Sequence, residues 1–490
     1  MNPMDPVFEF PLVLPARDSR GRLRSLHAQL RAAILDGRLK PGLRLPSTRK
    51  LADVYGVSRN TAVAAYDLLL SEGYVVAKRG SGVYVASALP RRNEPAPAPA
   101  EAANERRLAP HWRDPPATFV VPPQPPPRYD FALGIPDAAL FPFAIWRRLA
   151  SRAVRAIAKT RAPYAPSRGQ PELRESIARH VSFARAVSCA ADDIVVTSGA
   201  QQAFDLIARI LVTPGRTVVA VEDPGYPPAR TAFAAHGAKV VPVRVDEEGL
   251  VVEKIPREAR IVYVTPSHQF PLGCAMSARR RAALLDLAAA RGAVVVEDDY
   301  DGEFRFGGRP LDALQTLDRA ACVFYVGTFS KSLFPSIRLG YVVVPPWAQR
   351  ALIAAKRDAD WHSPVIEQDT LAAFIAEGHM ARHVRRMRAV YAARRETLLS
   401  HLAQAFGDWL EPIPSIAGLH LSAFASADAD VPALIAAARR SDVGMFSLRE
   451  LYARAPARHG FAFGYGAIDE RAIGEAFARL RKAWPARLGR

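Results

Sequence analysis

The chain has 490 residues, 49% of them apolar, with a mean hydropathy of -0.02 and a formal net charge of +18. That length and balance suit a soluble globular protein of two or three domains, and no stretch approaches the ~18 uninterrupted apolar residues of a membrane span. Asp5 and Glu9 near the start, with no basic region before an apolar run, argue against a secretory leader, and Cys189, Cys274 and Cys322 lack disulfide or metal spacing, so they read as reduced thiols of a cytoplasmic protein.

Residues 1–92 hold 15 Lys and Arg against 7 Asp and Glu. A head so basic favours a polyanionic partner, and no amphipathic helix suits a membrane surface. In chain order, Arg24–Leu35 carries a helical apolar stripe of Leu26, Leu30, Ile34 and Leu35. Ser47 caps a short helix, Thr48–Tyr55, closed by Gly56, and Ser58 caps a second, Arg59–Glu72, with Ala62, Val63, Tyr66, Leu69 and Leu70 inward. Tyr74–Val85 alternates around a glycine turn and reads as a hairpin with Lys78 and Arg79 at its tip.

Two short helices joined this way place the second in a DNA major groove, where Arg59, Asn60 and Thr61 reach base edges. Arg49 and Lys50 then suit phosphates, and Lys78 and Arg79 the adjacent minor groove. The head resembles the GntR type of bacterial winged helix over nearly its whole length. The resemblance rests on Leu45–Arg49, Leu51-Ala52, Gly56–Thr61, Ala64, Tyr66, Leu69 and Glu72–Tyr74. It implies Arg49, Arg59, Asn60, Thr61 and the wing as the surface for double-stranded DNA.

Residues 1–86 are therefore expected to form a mainly α winged helix-turn-helix. Residues 87–128, rich in Pro and Ala, read as an extended linker, and residues 129–490 as an α/β body. Strands are expected at Asp193–Thr197, Thr217–Val221, Lys239–Val243, Ile261–Val264, Ala293–Glu297, Cys322–Gly327 and Tyr341–Val344, with helices such as Gln202–Leu211 and Ala278–Arg291 between them. Near-continuous Val/Ile runs separated by helices indicate a mainly parallel sheet covered on both faces.

The segment Gly327–Gly340 frames Lys331 with Thr328, Ser330 and Arg338. An amine among hydroxyls, with a guanidinium nearby, is what pyridoxal phosphate needs for an imine and a phosphate seat. Ser198–Gln202 opens a helix with small residues, which suits a phosphate, and Tyr226 at the end of another strand is suited to lie flat on a ring. Glu297–Asp301 ends an apolar strand in a carboxylate cluster, where one carboxylate can hold a pyridine nitrogen protonated while Tyr300 bonds the ring's phenolic oxygen. A metal cluster is the rival reading of those carboxylates. No histidine or second carboxylate motif of suitable spacing supports it, so no metal is expected.

These segments resemble fold-type-I pyridoxal-phosphate aminotransferases with a smaller α+β subdomain. The match includes Asp130-Phe131, Gly134, Pro136-Asp137, Leu140–Pro142, Trp146, Tyr164, Gly169, Leu173-Arg174, Pro266–Gly273, Glu297–Asp301 and Ser330–Gly340. With the head and linker, the whole chain resembles a MocR-type transcriptional regulator. The resemblance implies Lys331 as the imine-forming lysine, Asp298 as the pyridinium partner with Asp299 as fallback, and Tyr300 on the phenolic oxygen. It also implies Tyr226 on the ring and Gly199, Ala200, Ser330 and Arg338 around the phosphate. It further implies a homodimer.

Two departures from ordinary aminotransferases stand out. Phe270–Gly273 lacks the usual asparagine, so a contact to the ring oxygen is missing or comes from His268 or Gln269, and His459–Tyr465 lacks the substrate-clamping arginine, for which Arg230 and Arg449 are candidates. The leading expectation is a cytoplasmic, nucleoid-associated regulator sensing an amino compound, or pyridoxal phosphate itself, without physiological turnover. An active aminotransferase that regulates its own supply, and a DNA-binding protein on an inert scaffold, are the alternatives.

Overall fold

Serine caps and a glycine stop set the short helices of the N-terminal unit. The computed structural model describes residues 8, 10–15, 21–78, 80–87, 107–108, 112–113, 126–161, 164–307, 311–456 and 458–485. Arg79 and most of the expected linker lie outside them. Contacts divide the chain into two units, residues 1–109 and 110–490.

In the first unit α1 (Arg22–Leu35), α2 (Thr48–Tyr55) and α3 (Arg59–Ser71) precede a hairpin of β1 (Val75–Lys78) and β2 (Gly82–Val85). Ser47 Oγ accepts the Lys50 N–H at 3.2 Å and Ser58 Oγ the Thr61 N–H at 3.0 Å, satisfying donors that a helix start leaves open. Gly56 ends α2 with φ 61°, and the Arg22 guanidinium donates to the Gly56 and Tyr55 carbonyls at 2.8 and 3.1 Å. Leu26, Leu30 and Ile34 pack on Leu51, Ala62, Ala65, Tyr66 and Leu69. Val63, expected inward, is 37% exposed: the inner stripe of α3 runs through Ala62, Ala65, Tyr66 and Leu69, at i, i+3, i+4 and i+7.

In the second unit an eight-stranded sheet carries the site. Its strands are β3 (Ile194–Thr197), β4 (Val218–Asp223), β5 (Lys239–Asp246), β6 (Gly249–Leu250), β7 (Ala259–Val264), β8 (Val294–Asp299), β9 (Val323–Thr328) and β10 (Gly340–Val343), in the order β3-β10-β9-β8-β7-β4-β5-β6. The pairs β9–β8, β8–β7, β7–β4 and β4–β5 are parallel. β10 runs antiparallel to β9 because the chain returns without a crossover helix. Helix α4 (Ala200–Leu211) packs Phe204 and Ile207 on one face of the sheet, and α5 (Ala278–Arg291) packs Leu284 and Ala288 on the other.

A smaller antiparallel sheet follows the long helix α6 (His379–Phe406). It consists of β11 (Leu410–Pro412), β12 (His420–Ala425), β13 (Phe446–Ser447) and β14 (Gly460–Gly464), in the order β11-β12-β14-β13, and α7 (Glu470–Ala483) closes the layer. Every strand and helix expected in the body is present, with ends shifted by a few residues. Among the described residues no helix is long and apolar enough to cross a membrane.

The caps set a stability prediction. Ser58→Ala should lower the unfolding free energy of the head by about 1 kcal/mol in denaturant titration, while Ser58→Gly should cost only a few tenths. Equal losses would mean that the hydroxyl does not cap α3.

Candidate coenzyme site and nucleic-acid interface

The pleat of β8 sorts its three terminal carboxylates between partners. Glu297 accepts the Leu314 and Gln315 N–H groups at 2.7 and 2.9 Å. Asp299 pairs with Arg185 at 2.6 Å, both side chains buried, and accepts the Tyr325 hydroxyl at 2.6 Å. Asp298, on the alternate face, lines a cavity together with Lys331. Its Oδ2 takes the Tyr263 hydroxyl at 2.6 Å, while Oδ1 is buried with no partner among the described residues. Burial lifts the Asp298 carboxyl from 3.8 to about 7, against the opposing pull of the Tyr263 bond and of Lys331.

Lys331 follows β9, and its amine donates to the Gly134 carbonyl at 2.8 Å. Burial lowers its proton affinity, opposed by Asp301 and Asp298 and assisted by Arg338. Gly134 has φ 66°, which strains any side chain, and a Cβ there would stand 2.6 Å from the Lys331 Nζ and displace the amine. At the other end of the cavity, Arg338 donates to the Ser198 carbonyl at 2.9 Å beside the start of α4. Gly199, with φ 81°, caps that helix without a side chain, and a Cβ on it would stand 2.9 Å from the Arg338 Nη2. The open N–H groups of α4 and the guanidinium make an anion seat.

Ala200, Tyr226, Asp298, Tyr300, Thr328, Ser330, Lys331 and Arg338 all lie on this one wall. His268 does not: its Nδ1 faces Asp301 at 2.9 Å and its Nε2 the Ser415 hydroxyl at 3.1 Å, which hold the ring behind Tyr300. The Tyr300 hydroxyl donates to the His268 carbonyl at 3.0 Å. Gln269 is spent on the backbone, donating to the Pro224 carbonyl after β4 at 2.9 Å and to the neighbouring Phe270 carbonyl at 2.6 Å. Arg230 and Arg449 are also off the wall: Arg230 is half-buried on the helix Pro227–Ala235, and Arg449 is exposed, its guanidinium turned to the Arg454 carbonyl. Both were isolated arginines with no supporting pattern.

Thr265, Phe270 and His420 line the wall and were missed. Phe270 was read only as the start of the segment that lacks the usual asparagine, and nothing local in the sequence marks Thr265 or His420 as wall residues.

In the head, Arg49, Lys50, Arg59, Asn60 and Lys78 are exposed, the first four at the starts of α2 and α3. Thr61 is half-buried with its hydroxyl 2.8 Å from Ser58 Oγ, so it serves the cap. Lys78 lies over the Tyr84 ring at 4.7 Å. Arg44, exposed and bridged to Tyr84, adds a cation beside the wing that sequence reading passed over.

Residues 131–440 match the family of aminotransferases of class I and II, and residues 23–85 match the bacterial regulatory proteins of the gntR family. The chain belongs to the MocR-type transcriptional regulators, which join these two parts. It is 38% identical to the probable rhizopine catabolism regulatory protein MocR of Rhizobium meliloti, over 94% of this chain and 93% of that one. It is 34% identical to the regulator TauR of Rhodobacter capsulatus (94% and 96% covered) and 31% identical to the pyridoxine biosynthesis regulator PdxR of Corynebacterium glutamicum (97% and 98%). Among solved structures, the kynurenine aminotransferase of Pyrococcus horikoshii superposes with a TM-score of 0.67 at 29% identity, over 72% of this chain and 90% of that one. The α-aminoadipate aminotransferase LysN of Thermus thermophilus, complexed with N-(5'-phosphopyridoxyl)-L-leucine, gives 0.66 at 28%, over 72% and 91%.

The coenzyme of such a body is pyridoxal phosphate, and the residues present fit it. The unpartnered Asp298 Oδ1 suits a protonated ring nitrogen, and the seat at Gly199 and Arg338 suits a phosphate.

Two substitutions on β8 should separate the roles of its faces. In the coenzyme-free chain Asp298 holds its proton more tightly folded than unfolded. Its contribution to stability is therefore complete below 3.8 and lost as pH rises through about 7. Denaturant unfolding of Asp298→Asn across that window should lose less stability than the parent; parallel curves would mean that Asp298 is ionised throughout. Asp299→Asn strands the Arg185 charge and should cost about 3–5 kcal/mol at neutral pH.

Proposed function

We propose that the chain is a transcriptional regulator whose body senses an amino compound through pyridoxal phosphate at Lys331 and whose head binds an operator. One observation carries this reading: a lysine amine, a buried carboxylate with one oxygen unpartnered among the described residues and a guanidinium at a helix start line one cavity, in a chain that also bears a basic winged helix. When bound, the coenzyme supplies an electrophilic carbon and an electron-withdrawing ring. Lys331, its proton affinity lowered by burial, is the nucleophile. Asp298 would keep a proton on the ring nitrogen, while Thr328, Ser330, Arg338 and the N–H groups of α4 would hold the phosphate. Tyr226 would serve the ring face, and Tyr300, held at His268, would serve the phenolic oxygen by turning its hydroxyl from the His268 carbonyl.

In the head, Arg59 and Asn60 meet base edges, Arg49 and Lys50 meet phosphates, and Lys78 leads the wing into the adjacent groove. The working unit in this reading is a homodimer with two heads. In support, Tyr164 and Trp361 stack at 4.7 Å while 75% and 52% exposed, an aromatic surface suited to a second copy. An amine bound at the coenzyme changes operator affinity to the extent that it prefers one arrangement of the heads.

The test is operator binding by the full chain, with DNA selected from the segment beside its own coding region, with and without coenzyme and amine. The footprint or affinity should change when amine is added to the loaded protein and stay unchanged in Lys331→Ala. Identical binding in every condition, with bound coenzyme confirmed by its visible absorption, would sink the sensing role. Active transamination is the second reading, favoured by Lys331 and Asp298 facing one cavity; sustained turnover of an amino donor and a 2-oxo acid, lost in Lys331→Ala, would establish it. For the head, Lys50→Ala should weaken binding evenly across DNA sequences and reduce the slope of log affinity against log salt by about 1.

A further inference from the structure

His420 opens β12 and stands on the cavity wall with Phe270 and Tyr300, 1% exposed. Its Nε2 lies 3.1 Å from the Pro271 carbonyl oxygen. A carbonyl only accepts, so Nε2 carries the ring proton in the neutral imidazole. Burial, with the neighbouring His268 and Lys331, holds the ring well below its ordinary proton affinity, against the Pro271 contact. Nδ1 is therefore a bare acceptor. It is buried, and among the described residues nothing donates to it. Such an atom is unfavourable until a donor reaches it.

The surroundings narrow what that donor is. Among the described residues the wall holds one guanidinium, Arg338, at the start of α4 where the phosphate seat lies. No second guanidinium awaits a carboxylate, and an ionised carboxylate has no hydrogen to give. His268, with its ring 4.9 Å from that of His420, is engaged at both nitrogens by Asp301 and Ser415. The potential ligand atoms of His268, Asp301 and His420 lie within 4.8 Å of one another, but the first two are already joined to each other.

We propose that His420 selects the effector: it accepts a hydrogen from a hydroxyl or amide at the far end of a primary amine, and it disfavours amines that end in a carboxylate. The inference rests on the reading of Lys331 as the coenzyme lysine.

The test uses the full chain loaded with pyridoxal phosphate and follows the coenzyme's visible absorption. The titrants are 3-aminopropan-1-ol and its longer homologues, with alkylamines and ω-amino acids of matched length, each with and without a chelator. The best amino alcohol should half-saturate at a concentration ~10-fold below its matched alkylamine and amino acid, the size of one hydrogen bond to a buried acceptor. His420→Phe should erase that preference by weakening the amino alcohol alone, and His420→Asn, whose amide oxygen falls near the place of Nδ1, should keep most of it. If the Phe variant does not fold by thermal unfolding, the parent panel and the Asn variant decide. Equal half-saturation across all series, tighter binding of the amino acids, an unchanged preference in His420→Phe, loss of the preference in His420→Asn, or a preference abolished by the chelator would each overturn the proposal. Failure to load coenzyme at all would remove the reading of Lys331 as well, and so is distinct from these.

Discussion

A strand that runs through three valines and then ends in Glu297, Asp298 and Asp299 can be buried only if each carboxylate meets its own partner. The pleat sends the outer two to one face, where backbone N–H groups and the Arg185 guanidinium receive them. It leaves the middle one on the other face with a single hydroxyl bond. Arg185 ends the helix Pro171–Arg185 and also holds the Leu311 carbonyl and the Ser267 hydroxyl. One ion pair thus fixes a helix, two loops and the central strand, and so determines where Asp298 points. The cavity lies on the face where, among the described residues, Asp298 keeps one oxygen without a partner and no cation pairs with it.

Much of this was legible because the informative residues are close in sequence. Thr328, Ser330, Lys331 and Arg338 form a local frame, and the Val/Ile runs that alternate with helices place it at a sheet edge. The resemblance put Asp298 ahead of Asp299, but which face of β8 each occupies, and so which partner each meets, comes only with the strand register. Arg230 and Arg449 show the limit of reading single residues, where nothing nearby constrains the direction of a long side chain. His420 shows the same limit from the other side. It reaches the wall only because the small sheet folds against the large one, and no local pattern encodes that approach.

The head was more readable, since its helices begin and end on side chains whose function is local. Ser47, Ser58 and Gly56 act within a turn of where they stand. The misplacement of Val63 and the capping engagement of Thr61 have one cause: helix phase decides inward from outward, and one step moves a side chain a hundred degrees round the axis. Arg44 escaped notice because its role comes from a bridge to Tyr84 forty residues on.

The bond from Lys331 to Gly134 joins positions 197 residues apart, and His420 brings a third distant segment to the same wall. A site assembled across such separations exists only once the body is folded, because each loop closure must precede the contact that rewards it. A small molecule that settles there therefore captures finished molecules and none of the partly folded ones. Its binding energy adds to the stability of the whole body by mass action. Among the described residues the wall takes none from the head, so the energy of that binding is gained within the body.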